Sequence, residues 1–435
     1  MSDPLLVIRA DADLSNAVAL GELPGTSIAP GSGTAVDESG QEYPAQVTAL
    51  ANGNSLVGVQ VRELASGSEL RLRFQGGGAP APGRGVDLDD QPENGRIVVT
   101  YSGFLQTIYH YGAMNYKPRF YPITAPCAKL GGFDDPATVY PKGITDDAPP
   151  DHIWHRSLWY AAGEVFVGPD SAEAAAAHSR GTVTLASGAG SMPETAPGAH
   201  PFTDFYLENG GEGRMVHRSF SDVFSGPVFG GFRESLVWRT PDGRDIISDE
   251  RSLTMYRLKG TSRIFDIAAA FTALDQQVTF GATNENALPL IRVADCIDEW
   301  DGGRLTLADG TIGGKDAFAR RAAWGDCTGP LIHKPGLEPQ YWGVAMLDHP
   351  SNVGHPNAWF ARSYGPLGTN TPYFDGPLTL APGETWTLRH RIVVHEGYPE
   401  EAGIQGRWDE YARPPSITIA SSRKPLRLVR HEEAS

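Results

Sequence analysis

Short runs of alternating apolar and polar residues dominate the chain and predict β-strands almost throughout. In TWTLRHRIVVH (385–395), Trp386, Leu388, Ile392 and Val394 fall on one face of a strand and Arg389, Arg391 and His395 on the other. RIFDIAAAFTAL (263–274) has a similar, mostly apolar strand pattern. Turn signals such as ANGN (51–54) and TPDG (240–243) separate the runs, because Asn-Gly and Asp-Gly supply the positive φ that tight hairpins need.

Helical signals are few. DSAEAAAAH (170–178) is alanine-rich and starts with a capping residue, and 399–415 places Ile404, Trp408 and Tyr411 at helical spacing before Pro414. We therefore predict an all-β protein: a large antiparallel β-sandwich, supersandwich-like, with few short helices.

One segment, 74–95, is rich in Gly, Pro and Asp and poor in apolar residues, which is typical of a linker or a surface loop. The sequence leaves these two readings open. We expect an N-terminal strand-rich region at 1–75, either separate or part of the same sandwich. A main sandwich domain carrying the site would occupy 96–412, and a frayed tail 413–435.

Composition excludes several classes of partner. The chain has 435 residues, 40% of them hydrophobic and 20% charged, which indicates a globular protein. Its net charge of −16 disfavours nucleic acid and anionic membrane surfaces as partners. No basic leader or membrane-length apolar run is present, so we expect a soluble, cytoplasmic protein. A small neutral or cationic partner fits the charge, as does an anionic one met by local arginines. Whether the chain forms a homo-oligomer is left open.

The densest chemistry lies in PPDHIWHRSLW (149–159), which combines Asp151, His152, His155, Arg156 and Trp159 with a further tryptophan, Trp154. On a helical turn the two histidines would face the same way and could share a metal, whereas on a strand they would point to opposite faces. H-x-x-H without a glutamate is a weak metal signal. The alternatives are acid–base work on a ligand that stacks on tryptophan, and a structural turn.

A second polar cluster follows the apolar strand at 344–347. It contains Asp348, His349, Asn352, His355, Trp359 and Arg362. Polar residues in a loop after a buried strand are how sandwich proteins display binding sites. We predict that this loop and the first one meet around one pocket.

Glu250, beside Asp249 and Arg251 at the start of a strand, is a candidate catalytic carboxylate; a charged hairpin surface explains it equally well. No P-loop, no dinucleotide-binding glycine motif and no serine elbow is present. The three cysteines, Cys127, Cys296 and Cys327, lie far apart and fit buried thiols better than a disulfide framework or a zinc site. No cofactor is expected.

Five segments together carry a family resemblance: YKPRFYPITAP (116–126), DHIWHRSLWYAAGEV (151–165), FGATNENALPLIRVA (280–294), GVAMLDHPSNVGHPNAWFARSYG (343–365) and RIVVHEG (391–397). Over about residues 97–397 the chain resembles the bacterial family described as methane oxygenase PmoA-like, also called a domain of unknown function. That resemblance implies a carbohydrate-handling β-sandwich from a sugar-degradation system. The family positions it matches are Arg119, His152, His155, Arg156, Asp348, His349, Asn352 and Arg362.

The chain departs from that family pattern at Ile153-Trp154, where Pro-His is common, and at Asn284, where lysine is common. We predict an enzyme that cleaves or modifies a glycoside or an oxidised sugar, as a hydrolase or a lyase. The predicted acid–base groups are His152, His155, His349 oriented by Asp348, and Glu250. The predicted substrate-binding residues are Arg119, Arg156, Trp159, Asn352, His355, Trp359 and Arg362. The alternatives are a sugar-binding module without catalysis and a histidine-ligated metalloenzyme.

Overall fold

The structure, a computed structural model, describes residues 4–25, 28–78, 85–128, 139–186, 202–283, 286–332 and 338–420. Three parts of the sequence-based predictions lie outside these residues: Asn284, the middle of the 74–95 segment, and the tail beyond 420.

Strands make up most of the described chain. In chain order they are β1 (Leu5–Arg9), β2 (Leu14–Leu23), β3 (Gly31–Val36), β4 (Glu42–Ala49), β5 (Ser55–Leu64), β6 (Glu69–Gly78), β7 (Val86–Gln91), β8 (Arg96–Tyr101), β9 (Phe104–His110), β10 (Arg119–Ala128), β11 (Val139–Gly143), β12 (Leu158–Ala162), β13 (Val165–Val167), β14 (Arg214–Phe224), β15 (Phe229–Arg239), β16 (Asp245–Tyr256), β17 (Arg263–Ala273), β18 (Val278–Phe280), β19 (Asn286–Arg292), β20 (Arg304–Leu307), β21 (Trp324–Ile332), β22 (Gln340–Asp348), β23 (Trp359–Ala361), β24 (Pro366–Thr369), β25 (Leu378–Leu380), β26 (Thr385–Glu396) and β27 (Ser416–Ala420). The helices are α1 (Ser171–Ala186), α2 (Gly314–Ala317), α3 (Thr371–Asp375), α4 (Pro399–Ala402) and α5 (Ile404–Ala412).

The chain divides into two compact units, one formed by Met1–Pro80 with Arg413–Ser435 and the other by Ala81–Ala412. In the first unit, seven strands form one antiparallel sheet in the order β2-β5-β4-β3-β6-β1-β27. A side-chain carbon placed on Gly21 would lie 3.1 Å from Ile417 Cβ, so the first and last strands of this order pack against each other. The sheet therefore curls around its own core, in which Ile8, Val59 and Leu72 are fully buried.

The start of the predicted tail is ordered differently from the expectation. Residues 416–420 form β27, which pairs antiparallel with β1 from Leu5↔Ala420 to Arg9↔Ser416. Alternating Ile417 and Ile419 supply apolar side chains to the first unit, which is why this short segment joins its sheet.

The second unit contains two large sheets. One is nine-stranded, with the order β23-β24-β19-β12-β10-β9-β8-β7 and with β11 paired to β10. The other is eight-stranded, with the order β14-β15-β16-β17-β26-β22-β21-β20, and a small three-stranded sheet, β13-β18-β25, completes the unit. Neighbouring strands of the described part of both large sheets run antiparallel, for example β15 with β16, β16 with β17 and β8 with β9.

Aromatic side chains from both large sheets form the core between them. The rings of Tyr109 and Phe232 lie 4.8 Å apart, those of Phe120 and Phe265 6.3 Å, and those of Tyr160 and Phe271 6.1 Å. Each such pair joins a strand of one sheet to a strand of the other. The predicted all-β antiparallel sandwich with short helices is confirmed.

Local predictions agree with the elements observed. Residues 385–395 lie in β26, with Trp386 and Leu388 buried and Arg389 exposed, and residues 263–273 form β17. The TPDG turn joins β15 to β16, with Gly243 at a φ of 89°, a conformation that glycine adopts without strain. The predicted helices correspond to α1 and to the α4–α5 pair. Within the described residues, none of the helices has the length and apolarity to cross a membrane.

Candidate functional site

The first histidine loop is a pair of successive turns between β11 and β12. The His152 N–H donates to the Pro149 carbonyl at 3.0 Å and the His155 N–H to the His152 carbonyl at 2.9 Å. These turns bring residues three apart onto the same side, so the two imidazoles lie side by side with centroids 4.6 Å apart and planes 21° apart. The helix-like alternative therefore describes the loop better than the strand alternative.

His152 is half-buried and hydrogen-bonded to its own neighbour. Its Nδ1–H donates to Asp151 Oδ2 at 2.9 Å, and Arg292 Nη1 donates to the same oxygen at 2.9 Å. Partial burial opposes ionisation of Asp151, but the hydrogen bonds from His152 and Arg292 outweigh it and lower the pKa of the carboxyl. Nδ1 is thus the protonated nitrogen, and Nε2 has no hydrogen-bond partner among the described residues.

His155 has a different environment. Only 2% of the residue is exposed, and its Nε2 is 3.0 Å from the Tyr206 hydroxyl. Burial, helped by the charge that His152 carries when protonated and by Arg292, lowers the pKa of His155 to about 2. The predicted role of His155 as a group that gains and loses a proton near neutral pH does not fit this environment, because the buried ring stays neutral.

A row of rings leads from these histidines to the surface. Tyr364 lies 4.9 Å from His152 and nearly parallel to it, and Trp300 lies 5.7 Å from Tyr364. On the inner side, His155 lies 5.3 Å from Trp159. Trp300 is 72% exposed, whereas Trp159 is buried. The exposed aromatic surface at this site therefore belongs to Trp300 and not to the predicted Trp159.

The two predicted arginines of this region are bound to carboxylates. Arg156 makes a bidentate pair with Glu208, with its Nε 3.0 Å from Oε1, and Arg119 Nε donates to Asp147 Oδ2 at 3.0 Å. Lys117, fully buried, lies 2.9 Å from Glu208 Oε1. Burial lowers the pKa of Lys117 to about 8 despite this carboxylate. These ion pairs join the histidine loop to the neighbouring loops around Lys117, Asp147 and Glu208, and the roles of Arg119 and Arg156 in substrate binding stay predictions.

The second histidine loop is organised around Asp348, which is completely buried at the end of β22. Its carboxylate accepts hydrogen bonds from His355 Nδ1 at 2.8 Å, from Asn352 Nδ2 at 2.7 Å and from the Asn357 N–H at 3.1 Å. Burial raises the pKa of Asp348, but the His355 hydrogen bond, the nearby His390 and the asparagine donors outweigh it and leave it lowered. This set of contacts closes the loop on itself.

His349 differs from its predicted arrangement. Its Nδ1 lies 2.8 Å from Ser351 Oγ, and its ring packs edge-on against Tyr411. Asp348 orients His355 instead, whose ring is nearly parallel to that of Trp408 at 6.0 Å. The Asp348–His349 pairing was wrong because adjacent residues at the end of a strand point to opposite sides.

Two other predicted residues of this segment lie away from the imidazoles. Trp359 is fully buried in β23 and donates from Nε1 to the Ala322 carbonyl at 2.9 Å, so it has no face for a ligand. The Arg362 guanidinium lies 3.6 Å from the centre of the Phe318 ring. The first is a core residue, and the second is a cation packed on an aromatic face.

The two loops do not combine their histidines as predicted. His152 and His155 contact Tyr364, Tyr206 and each other, whereas Asp348 and His355 have partners of their own within the described residues. Tyr364 is the link, since it belongs to the second segment and stacks on the first. β24 begins at Pro366, two residues after Tyr364, and pairs with β19 at Arg292↔Pro366. This pairing places Tyr364 against Arg292 and His152.

Glu250 is exposed in the middle of β16, between Asp249 and Arg251, whose side chains are buried on the other face of the strand. Arg251 Nη2 donates to Asp249 Oδ2 at 2.7 Å, and Trp238 Nε1 donates to the same oxygen at 2.9 Å. Glu250 therefore does not join the histidine loops. The period of two separates it from its charged neighbours.

A buried network between the sheets was missed. Glu234, 1% exposed, accepts from the Tyr109 hydroxyl and from His217 Nδ1, the latter at 2.6 Å. Burial raises the pKa of Glu234. The sequence held a signal for it, because alternation in FGGFRESLVWR (229–239) places Glu234 on the same face as Phe232 and Leu236. Of the residues missed at the first loop, Trp300 had a signal in its Gly-rich acidic turn, DEWDGG, and Tyr206 had none.

The described residues contain no group of three or more His, Cys, Asp and Glu side chains arranged to hold a metal ion. Cys327 is a buried free thiol and Cys296 a half-buried one. The Cys127 side chain lies outside the described part of the chain. The metalloenzyme alternative thus gains no support from the described geometry.

A family model matches residues 96–409, and the family is described as "Family of unknown function (DUF6807)". The resemblance to the PmoA-like family was wrong, since no such family is indicated. The motifs behind it are short clusters of Asp, His and Trp that here shape two loops, and such clusters do not define a family by themselves. No curated protein matches the chain.

Among solved structures, the chain is similar to a glycosyl hydrolase family 38 protein from Enterococcus faecalis, with 9% identity and a TM-score of 0.42 over 97% of this chain and 47% of that one. It is also similar to an α-mannosidase from E. faecalis V583, with 9% identity and a TM-score of 0.44 over 97% of this chain and 46% of that one. A GalM/aldose epimerase homologue from C. elegans gives 9% and 0.24, covering 72% of this chain and 96% of that one. This chain spans about half the length of the first two. At these scores the likenesses carry no argument about activity.

Proposed function

Because the chain belongs to this family of unknown function, its activity has to be argued from its own geometry, and we propose that it is a carbohydrate-active enzyme whose site is the His152 loop. In this proposal His152 transfers the proton and Trp300 holds the sugar ring. The observation that carries the proposal is the arrangement Arg292–Asp151–His152, in which a guanidinium holds a carboxylate that in turn orients an imidazole.

The proton-transfer role follows from that arrangement. A carboxylate that accepts from Nδ1–H fixes the tautomer and leaves the Nε2 lone pair for a substrate. Asp151 keeps its charge because Arg292 shares its oxygen, so it stabilises the imidazolium that forms when His152 takes a proton. His152 is half-buried, which lets a ligand reach the ring.

The binding role rests on Trp300. A tryptophan that is 72% exposed leaves a large apolar surface in water, and stacking on the apolar face of a sugar ring would cover it. The side chain sits over Tyr364, whose ring is packed against both His152 and Arg292. A sugar on Trp300 would therefore lie next to Tyr364, one ring away from the proposed base.

The non-catalytic sugar-binding module stays the alternative, since Trp300 supports both functions. Two pairs of variants separate them. Trp300→Ala removes the platform and Trp300→Phe keeps a ring, while His152→Asn removes the base and His178→Asn changes a histidine of α1 outside the site.

The experiment measures sugar binding by titration calorimetry and turnover by mass spectrometry across glycosides and oxidised sugars. We expect Trp300→Ala to weaken binding by about tenfold or more, and Trp300→Phe to weaken it less. His152→Asn should keep the affinity and lose turnover by about a hundredfold or more. Binding that weakens in Trp300→Ala, with no turnover by the unmodified protein, would favour the binding module. No binding of any sugar would reject the proposal.

A further inference from the structure

The two stacked imidazoles differ in how they can act, although they are only three residues apart. His152 is half-buried and its Nδ1–H is bound to an ionised carboxylate. His155 is buried, and no carboxylate is within hydrogen-bonding distance of either of its nitrogens in the described residues. One ring is thus built to accept a proton and the other to stay neutral.

The remaining nitrogen of His155 is the feature that points to a ligand. Its Nδ1 is buried and has no hydrogen-bond partner among the described residues. The Tyr206 hydroxyl at Nε2 can either donate or accept; when it donates, the neutral ring carries its proton on Nδ1 and presents a buried donor there. A buried donor without an acceptor is unfavourable, so an acceptor oxygen at this position is favoured.

A second donor without a partner among the described residues belongs to the neighbouring ring. The indole Nε1 of Trp159 is buried and has no hydrogen-bond partner in the described part of the chain, and the ring centre of Trp159 is 5.3 Å from that of His155. An indole N–H can only donate. Both groups therefore call for an acceptor, which is the requirement of an oxygen that gains negative charge.

From this geometry we propose that the site acts on a sugar that carries a ketone, with His152 removing the proton from the carbon beside the carbonyl and the His155 N–H bonding to the carbonyl oxygen. This inference rests on the proposed function and narrows it to one substrate class. A neutral imidazole is suited to that second role, because it donates a hydrogen bond without giving its proton away.

Hydrolysis of an unmodified glycoside fits the site less well. The usual mechanism needs a carboxylic acid that is protonated before the reaction and a second carboxylate. Asp151, the carboxylate in contact with the imidazole pair, is held ionised by Arg292 and His152. It can orient a base, but it has no proton to give.

The step balances without a further reactant. His152 Nε2 takes the proton at C2 of a 3-ketoglycoside, and the C–H electron pair forms an enolate whose oxygen is bonded by His155. The enolate then reforms the ketone, a C1=C2 double bond appears, and the C1–O bond breaks. The leaving alkoxide takes the proton from the His152 imidazolium, so an alcohol and an unsaturated ketone result and no oxidation occurs.

The test uses the full chain with methyl 3-keto-β-D-glucopyranoside in D₂O. NMR measures hydrogen exchange at C2, and ultraviolet absorbance measures the enone. We expect exchange with the unmodified protein, about a hundredfold or more slower in His152→Asn and His155→Leu. His155→Gln, which keeps an amide N–H donor, should retain more activity than His155→Leu, and His178→Asn should match the unmodified protein.

Tyr206 is a positioning residue in this scheme. Tyr206→Phe should lower kcat about tenfold and leave KM unchanged, because the hydroxyl acts on the tautomer of His155 and not on the sugar. If Tyr206→Phe instead unfolds the protein partially, its melting temperature will fall and both kinetic constants will change. His152→Asn then still tests the scheme.

The outcomes separate the two proposals. Binding of sugars through Trp300 without exchange at C2, or hydrolysis of methyl glucosides without exchange, would overturn the ketone inference and leave the carbohydrate function standing. Exchange that is unchanged in His152→Asn would overturn it as well. Absence of binding by any sugar would overturn both.

Discussion

Two histidines of one loop show how far burial changes the chemistry of an imidazole. His152 and His155 lie three positions apart in one loop and stack at 4.6 Å, but only His152 has a carboxylate partner and partial access to water. For His155 the loss of solvation disfavours the imidazolium, and the neighbouring cations add to that effect. The sequence contains both histidines, but it does not show which of them is buried, so it cannot distinguish their roles.

The depressed pKa of His155 predicts acid sensitivity. An unfolded histidine binds a proton below about pH 6.5, whereas the folded one resists protonation down to about pH 2. The unfolded state therefore gains protons first, and this residue lowers the free energy of unfolding as pH falls between these values. From pH 6.5 to 4.5 the loss is about 2–3 kcal/mol.

Urea unfolding at pH 7.5 and 4.5 checks this, with His155→Gln compared with the unmodified chain. The variant should lose less stability on acidification, by about the same 2–3 kcal/mol. His390, whose pKa burial lowers to about 4, is present in both chains and cancels in the difference. An equal loss in both chains would contradict the prediction.

At the scale of an element, the loop after β22 is held by one carboxylate. Asp348 accepts from an imidazole, two side-chain amides and a backbone N–H, so the loop from His349 to Asn357 folds around a buried charge. Such a charge is tolerated because nearly every lone pair has a donor. We regard this loop as a support for β23 and β24, which lead to Tyr364.

Asp348→Ala should lower the free energy of unfolding by about 3–5 kcal/mol, because it leaves the donors of His355, Asn352 and Asn357 without their acceptor. His349→Ala, one residue later, should cost about 1 kcal/mol, since its ring is half-buried and contacts Ser351 and Tyr411. Chemical denaturation of the two variants measures both. Equal losses would mean that Asp348 does not organise the loop.

Strand β16 shows what alternation settles and what it leaves open. The period of two predicts that Glu250 and its charged neighbours face opposite ways. It does not say which face is inside, and the structure buries Asp249 and Arg251 while exposing Glu250. The inner pair is tolerated because the two charges neutralise each other and Trp238 and Tyr160 contact them.

At the scale of the whole molecule, two compact units have separate hydrophobic cores. We propose that they are two folding domains, the first built from both ends of the chain. β1 has β6 on one side and β27 on the other, so the C-terminal segment completes the N-terminal sheet.

A chain that ends at Pro415 tests this division. Loss of β27 leaves one edge of β1 without its hydrogen bonds, so amide hydrogen exchange in Leu5–Arg9 should become faster, by about tenfold or more. Exchange in Asp245–Tyr256 of the second unit should stay as it is in the full chain. Mass spectrometry of peptides from both regions measures this, and a matching acceleration in the second unit would contradict the proposal.

The sequence by itself determined the all-β class, the positions of β17, β26, α1 and the α4–α5 pair, and the loop that carries the candidate site. These depend on neighbours in the chain, through period-two alternation, turn residues and the close spacing of Asp151, His152 and His155. Only the tertiary structure decided that Tyr364 and Trp300 pack beside that loop, that Asp348 accepts hydrogen bonds from its own loop, and that Glu250 faces outward. Each of these depends on which strands pair and which face is buried, and such contacts join residues far apart in the chain.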